Sequence, residues 1–360
     1  MKRRHGGSAG SGWRGLAIFW VAVLVILGGA AGTLQSLGPP APAKPSTPVA
    51  QSLTRPATQP AATIPAAIAL KPTTTAADMS GRRPGRDTPG PIADPDPALQ
   101  EDTPAGKLPR IADDGRMPMQ VYAAGFDRSN RRPRVGLLLA GVGLNVADSE
   151  QAIRMLPGGV TLAISPYAVI SDKLLSEARL AEHEYLISIP MEPQSFPLND
   201  PGNHALMIRN APEKNADRLN WALSRISGYV GATGALGLMR GERFASVSEQ
   251  MNPVLEQLAH RGLLYVDPRP GAKPVPSVWQ RDVDVVIDDQ PDAASIDAKL
   301  AELDKIAAEK GSALGLAGAV RPVTTERLAT WANQLPSKDL ALAPVSALVV
   351  PPPAHAEATQ

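Results

Sequence analysis

Arg134–Asn145 reads RVGLLLAGVGLN, an apolar run that stops on Ala140-Gly141-Val142-Gly143. A continuous apolar stretch of this length, closed by a glycine turn, reads as a buried strand feeding a loop. In α/β folds that is where ligand groups gather. From Asn145 onward strand-like and helix-like segments alternate. Asn145 and Asp148 open a helix over Val146–Leu156, and Ser171 caps another to Ala181. Asn210 with Pro212 and Glu213 opens a third to Ile226, and Ser246 with Glu249 forms a capping box for Val247–His260. Asp292 or Ser295 opens a long helix that Gly311 closes, and Thr324–Asn333 is helical. Strands are expected at Val135–Leu139, Val160–Ser165, Tyr185–Pro190, Tyr229–Thr233, Leu263–Asp267, Val283–Ile287, Ala313–Ala317 and Leu340–Pro344. Strict alternation implies a parallel sheet with helical crossovers, and the length of Arg134–Val350 suits a complete or incomplete (β/α) barrel.

Upstream of this core the composition changes. Residues 1–14 hold Lys2, Arg3, Arg4 and Arg14 and no acid, and Gly15–Leu34 runs without a charge. Twenty residues at about 1.5 Å each come to roughly 30 Å, the thickness of a bilayer core. Basic residues ahead of such a span predict a signal-anchor in the inner (cytoplasmic) membrane, a cytoplasmic N-terminus and a domain on the periplasmic side. A cleaved signal peptide is the alternative. Residues 35–133 are rich in Pro, Ala, Thr and Ser and predict a disordered, semi-extended linker, with Met117–Phe126 packing on the domain as a leading arm. Residues 134–350 form the expected barrel and 351–360 a loose tail.

Composition excludes several chemistries. The net charge of +1 gives no bulk attraction to nucleic acid, and aromatics at 4% provide no stacking platform for single strands. With no cysteine, disulfides, thiol catalysis and Cys-ligated zinc are out. Gly141-Val142-Gly143 lacks the third glycine of a dinucleotide fingerprint, and no acid follows the second strand at Ser165-Pro166-Tyr167. No Gly-x-Ser-x-Gly elbow and no Walker loop occur.

A set of motifs runs through the domain: VGLLLAGVGLN, LPGGVTLAISPYA (Leu156–Ala168), HEYLISIPMEPQSFPLNDPG (His183–Gly202), GYVGATGALG (Gly228–Gly237), RGLLYVDPRP (Arg261–Pro270), RDVDVVID (Arg281–Asp288) and APVSAL (Ala343–Leu348). In this order they resemble the divergent polysaccharide deacetylase family, a branch of the NodB-like carbohydrate esterases. The resemblance implies a distorted (β/α) barrel that acts on glycans. Active relatives end the first strand on paired aspartates and hold a divalent metal such as zinc with histidines from later blocks. Here those positions read Ala140, Gly141, Ala235 and Gly318, so no metal ligand is expected and no cofactor is implied. Such hydrolysis needs a metal to acidify water and polarise the carbonyl, usually through three protein ligands. The domain's His183, His204 and His260 read as surface or junction residues without ligand spacing.

Polar groups remain near the strand ends. Asp267 and Arg269 match the family's Asp-Ser-Arg block and read as lining the barrel mouth or as a structural ion pair. Glu192 reads as an acid–base group or a loop brace. Arg281 and Asp282 flank the sixth strand, and Asp288-Asp289 as a solvated turn. Tyr167, Trp279 and Trp331 are the aromatics that could stack on sugar faces, and Trp331, lying in a helical pattern, also reads as core packing. The reading is an inner-membrane-tethered, exported deacetylase-like domain that binds glycan or peptidoglycan fragments, without a working metal site. The alternatives are a hydrolase with rearranged ligands and an envelope scaffold.

Overall fold

The structure is a computed structural model that describes residues 19–20, 83–169, 171–273 and 277–352. The expected span Gly15–Leu34, apart from Phe19 and Trp20, and residues 35–82 and 353–360 lie outside the described residues. Among the described residues no helix is long and apolar enough to cross a membrane.

The decisive stretch forms β3, Arg134–Val142, and every residue after Arg134 in it is buried. Two short strands precede it, β1 (Gln100–Thr103) and β2 (Gly106–Pro109), which pair as a hairpin, and one turn of helix, α1 (Pro118–Val121). After β3 the chain runs α2 (Val146–Met155), β4 (Thr161–Ile164), α3 (Asp172–Leu180), β5 (Tyr185–Ser188), α4 (Pro212–Leu223) and β6 (Gly231–Thr233). It continues with α5 (Glu242–Ala245), α6 (Ser248–His260), β7 (Leu264–Asp267), β8 (Gln280–Asp282), β9 (Val285–Val286), α7 (Ala293–Lys310), β10 (Ser312–Ala317), α8 (Pro322–Gln334) and β11 (Ala341–Leu342).

The strand order is β8-β7-β6-β5-β4-β3-β10-β9, with β11 also on β3 and all these pairings parallel. Each crossover from β3 to β7 lays the next strand beside the last, as in a barrel. β8 and β9 form the two ends of this path, so the sheet is an α/β half-barrel, the incomplete form of the expected fold.

Alternation along the strands splits the core in two. Leu137 and Leu139 face outward with Ile153, Leu174, Leu219, Leu255, Leu300 and Leu328 from the helices. Leu138 and Ala140 face inward with Ala163, Leu186, Leu264 and Leu316. The same inner cluster contains Leu99, Met117, Met119, Tyr122 and Phe126.

That membership corrects the expected linker. Within its described part, residues 83–133, Ile92, Leu99, Leu108, Met117, Met119 and Tyr122 are buried, so this part is not a free tether. Met117 and Met119 are fully buried and Tyr122 accepts a hydrogen bond from the Asp96 amide at 2.8 Å. Burying one such side chain contributes about 1.5–3 kcal/mol. Scattered apolar residues without helical or strand period can therefore be held by the concave face of a half-open sheet. Met117–Phe126 does pack as the leading arm, and the segment ahead of it joins the same core.

Side-chain caps fix three of the helix starts. Asn145 accepts from the Asp148 amide at 3.2 Å, Ser171 from Leu174 at 3.3 Å and Asp292 from Ser295 at 2.9 Å. Gly311 closes α7 in the left-handed region, φ 81°. Two caps differ from expectation. α4 starts one residue later, with Ala211 at the cap, because the Asn210 amide group instead donates to Asn215 Oδ1 at 3.0 Å. Ser246 does not cap α6. Its hydroxyl donates to the Arg243 carbonyl at 2.8 Å, closing the short α5, and Val247 stands at the α6 cap.

Candidate functional site

The C-terminal ends of β3, β6 and β10 meet at the mouth of the half-barrel. Register along β3 explains how. Leu139 pairs with Leu162 and Val142 with Ile164, so three steps on β3 oppose two on β4. This bulge places Gly141 at φ +76°, a left-handed conformation that a glycine adopts without steric penalty. A Cβ at Gly141 would lie 3.4 Å from the Gly318 carbonyl oxygen and 3.5 Å from Gly237 Cα. One at Gly318 would lie 3.0 Å from the Gly237 carbonyl oxygen and from Leu238 Cδ2. The centre of the mouth is thus backbone against backbone. Ala140 and Ala235 are fully buried just beneath it. Leu144 and Leu238, by contrast, are about half exposed above it, at 58% and 48%.

A ring of ion pairs surrounds this centre. Asp267, at the end of β7, takes Arg269 in a bidentate pair, Nε to Oδ1 at 2.9 Å and a terminal nitrogen to Oδ2 at 2.7 Å. Its Oδ1 also accepts the Arg269 amide at 3.0 Å. The partner carboxylate raises the pKa of Arg269. This is the structural ion pair, closed within one turn. Glu192, after β5, is buried with Oε2 accepting the Ile208 amide at 3.0 Å and Oε1 paired to Arg243 at 3.0 Å. It braces the loop after β5 against α5. Arg240 bridges Glu242 at 3.3 Å and Asp289 at 3.0 Å, tying the loop after β6 to the one after β9.

The expected solvated turn Asp288-Asp289 is half wrong. Asp289 is exposed, whereas Asp288 is fully buried and accepts the Gly318 amide at 2.6 Å and the Ala319 amide at 3.0 Å. Burial is the main cause that raises the Asp288 pKa, against those two hydrogen bonds. Arg281 is absorbed by Asp282 at 3.1 Å and Asp284 at 2.5 Å.

The histidines are dispersed. His183, expected at a helix–strand junction, lies there between α3 and β5 and is fully buried at the opposite end of the sheet, with Nδ1 2.8 Å from the Val160 carbonyl and Nε2 3.2 Å from that of Ile153. His204 stacks on Trp221 with ring centroids 3.8 Å apart, and His260 is exposed at the end of α6. Among the described residues no group of three or more His, Asp and Glu is placed to hold a metal ion. The aromatic candidates are committed to packing. Trp331 is buried and its indole N–H donates to Asp304 at 2.8 Å, Trp279 is buried, and Tyr167 packs on Trp221 at 5.3 Å.

Asp288 and the buried glycine contacts are what sequence reasoning missed. The available signal was an acid directly after the apolar residues Val285–Ile287.

A curled parallel sheet flanked by helices, with loops massed at the strand C-termini, defines the class as an α/β half-barrel of polysaccharide-deacetylase type. A profile of the divergent polysaccharide deacetylase family matches residues 137–349, and the chain belongs to that family. Among solved structures it is similar to an uncharacterized protein from Agrobacterium tumefaciens. The two are 31% identical with a TM-score of 0.63, covering 68% of this chain and 100% of the other. A comparison with curated proteins found no match.

Proposed function

We propose that this is a glycan-binding domain of the bacterial envelope, tethered to the inner membrane by the apolar Gly15–Leu34 segment and working without a metal centre. The observation that carries it is the donor set at the mouth. Ala140, Gly141, Ala235 and Gly318 offer no ligand side chain, and the nearby carboxylates are engaged. Asp267 is held by Arg269, Glu192 by Ile208 and Arg243, and Asp288 by two backbone amides. These residues do not fit a divalent cation, which needs about three free ligands from the protein.

Binding needs less. Leu144 and Leu238 present apolar surface at the centre, and Arg240, Glu242, Arg243 and Arg269 present planar charged groups around it. A sugar ring offers a C–H face to the first and hydroxyls to the second, the mix that ligand sites use. The basic residues ahead of Gly15 are what support a periplasmic placement.

The test combines titration of chitin and peptidoglycan oligosaccharides against the full-length protein, metal analysis of the purified protein, and a deacetylation assay. Saturable oligosaccharide binding weakened by Leu238→Asp, without metal or turnover, is the expected result. Stoichiometric metal with acetate release would overturn the metal-free reading, and no binding to any oligosaccharide would overturn the glycan reading.

A further inference from the structure

The opposite end of the sheet carries a basic cleft. The turn Arg128–Pro133 leading into β3, the end of α7, the start of β10 and the segment Ala347–Val350 enclose about 740 Å3. Arg128, Arg131, Arg132, Arg134 and Lys310 line it, and no acid does among the described residues. Two of these cations are already accounted for. Arg128 pairs with Asp87 at 2.9 Å and donates to the Pro84 carbonyl at 2.5 Å. Lys310 closes α7, where a cation suits the helix C-terminus, and lies 3.8 Å from Asp284.

Three arginines remain, and two of them are held in place. Arg134 lies over the Phe126 ring at 5.2 Å and donates through one terminal nitrogen to the Ala347 carbonyl at 3.5 Å. Arg132 donates its amide and its Nε to Asn130 Oδ1, at 3.1 and 3.2 Å. That leaves both of its terminal nitrogens without a partner among the described residues. Arg131 is exposed and unpaired among the described residues. Like charges gathered without a counter-ion repel one another, and an anion in the cleft relieves that repulsion.

We propose that this cleft binds the phosphate group of a phosphorylated ligand. A guanidinium fork fits phosphate and carboxylate alike. Charge decides between them, because a carboxylate offsets one of the three arginines, whereas a phosphomonoester brings a charge of about −1.5 to −2 at neutral pH. The cleft is also larger than a lone phosphate requires and lies in the usual range for small ligands, about 300–1,000 Å3. It sits at the start of β3, whereas the mouth lies at its end, about 25 Å away at roughly 3.3 Å per residue. The proposal therefore stands or falls independently of glycan binding at the mouth.

The test is calorimetric titration of the full-length protein with inorganic diphosphate and, separately, sedimentation with vesicles of phosphatidic acid or phosphatidylcholine. Diphosphate should bind saturably, and Arg131→Glu with Arg132→Glu should weaken it by about tenfold or more. Arg131→Glu alone changes only an exposed side chain and should already weaken binding, which keeps the result readable should the double variant fold poorly. Phosphatidic acid vesicles that bind and are displaced by diphosphate would assign the phosphate to a lipid headgroup. Diphosphate binding with no preference for phosphatidic acid over phosphatidylcholine vesicles, and no displacement from them by diphosphate, would assign it to a soluble ligand. No diphosphate binding at low salt, or equal binding by wild type and both variants, overturns the proposal.

Discussion

The hydroxyl of Ser346 donates to the carboxylate of Glu184 at 2.6 Å, with both residues buried beneath the start of β5. The Ser346 amide donates to the other oxygen at 2.9 Å, and Thr161 Oγ1 joins it at 3.0 Å. The Ala124 amide completes the set at 3.0 Å. One carboxylate thereby ties the leading arm, β4 and the segment after β11 to the same point. A buried polar network is worth keeping only when every member is satisfied, and this one has four donors on one acceptor group.

Ser346→Ala should cost about 1–3 kcal/mol, because it strips a donor from a buried carboxylate. Urea midpoints of wild type and variant measure it. An unchanged midpoint would mean that Glu184 finds another donor and that the network is not closed by Ser346.

The same carboxylate makes stability depend on pH. Burial, the largest influence, raises the Glu184 pKa above 4.5 despite the hydrogen bonds that lower it. The folded chain then binds this proton more tightly than the unfolded one. The stability this group contributes is full below 4.5 and declines as pH rises through the raised folded value. Glu184→Gln does not titrate, so the stability difference between wild type and variant should drift against wild type across that window. A difference independent of pH would refute the raised pKa.

His183, the neighbouring residue, should act in the opposite sense. Burial is the main cause that lowers its pKa from 6.5, although its ring nitrogens face two carbonyls. The folded chain holds this proton less tightly. Its contribution is full above 6.5 and is lost as pH falls through the lowered folded value. Denaturant midpoints of His183→Gln should lack this acid-side decline, while NMR titration of the wild-type ring should give a midpoint below 6.5. A ring that titrates at or above that value would contradict the burial argument.

The leading arm behaves as core in its packing and should do so in stability. Met119→Ala should destabilise the whole domain by about 2–5 kcal/mol, the cost of truncating a buried large side chain. A single shifted thermal transition by far-UV circular dichroism and by tryptophan fluorescence is expected. A variant that melts like wild type would restore the tether reading for residues 83–133.

How far the residues announced this architecture depended on the range of the forces involved. The strand at Arg134, the caps at Asn145, Ser171 and Asp292 and the stop at Gly311 are local effects, and each was readable from a few neighbours. β8 was not, since Gln280–Asp282 is three residues at the end of the sheet path with no period to detect. The arm was not, because Leu99, Met117 and Tyr122 become core only against the concave side of strands far along the chain. At the mouth, Asp267, Arg269 and Glu192 could be placed at or just after strand ends from the sequence, but whether a carboxylate is free or engaged depends on partners such as Arg243 and Ile208. Glu184 and Asp288 escaped for the same reason. An acid beside an apolar run reads as exposed unless its donors are known, and these come from distant segments.

Gly141 and Gly318 give the sharpest test of the mouth. Gly141→Ala should destabilise by about 1–2 kcal/mol, the cost of an L residue in the left-handed region, since its Cβ finds ordinary contact distances at 3.4 Å and beyond. Gly318→Ala is different in kind. Its Cβ would press on the Gly237 carbonyl at 3.0 Å and on Leu238 Cα at 3.3 Å, both backbone contacts that no rotamer change relieves. The loop after β6 must therefore move, carrying Leu238 with it. Limited proteolysis and amide hydrogen exchange should show increased opening confined to residues 234–240 in Gly318→Ala and not in Gly141→Ala. If oligosaccharides bind over Leu144 and Leu238, their affinity should fall in the first variant and hold in the second. Equal exchange in both variants would mean that the loop does not rest on Gly318, and the closed, donor-free centre would lose its structural basis.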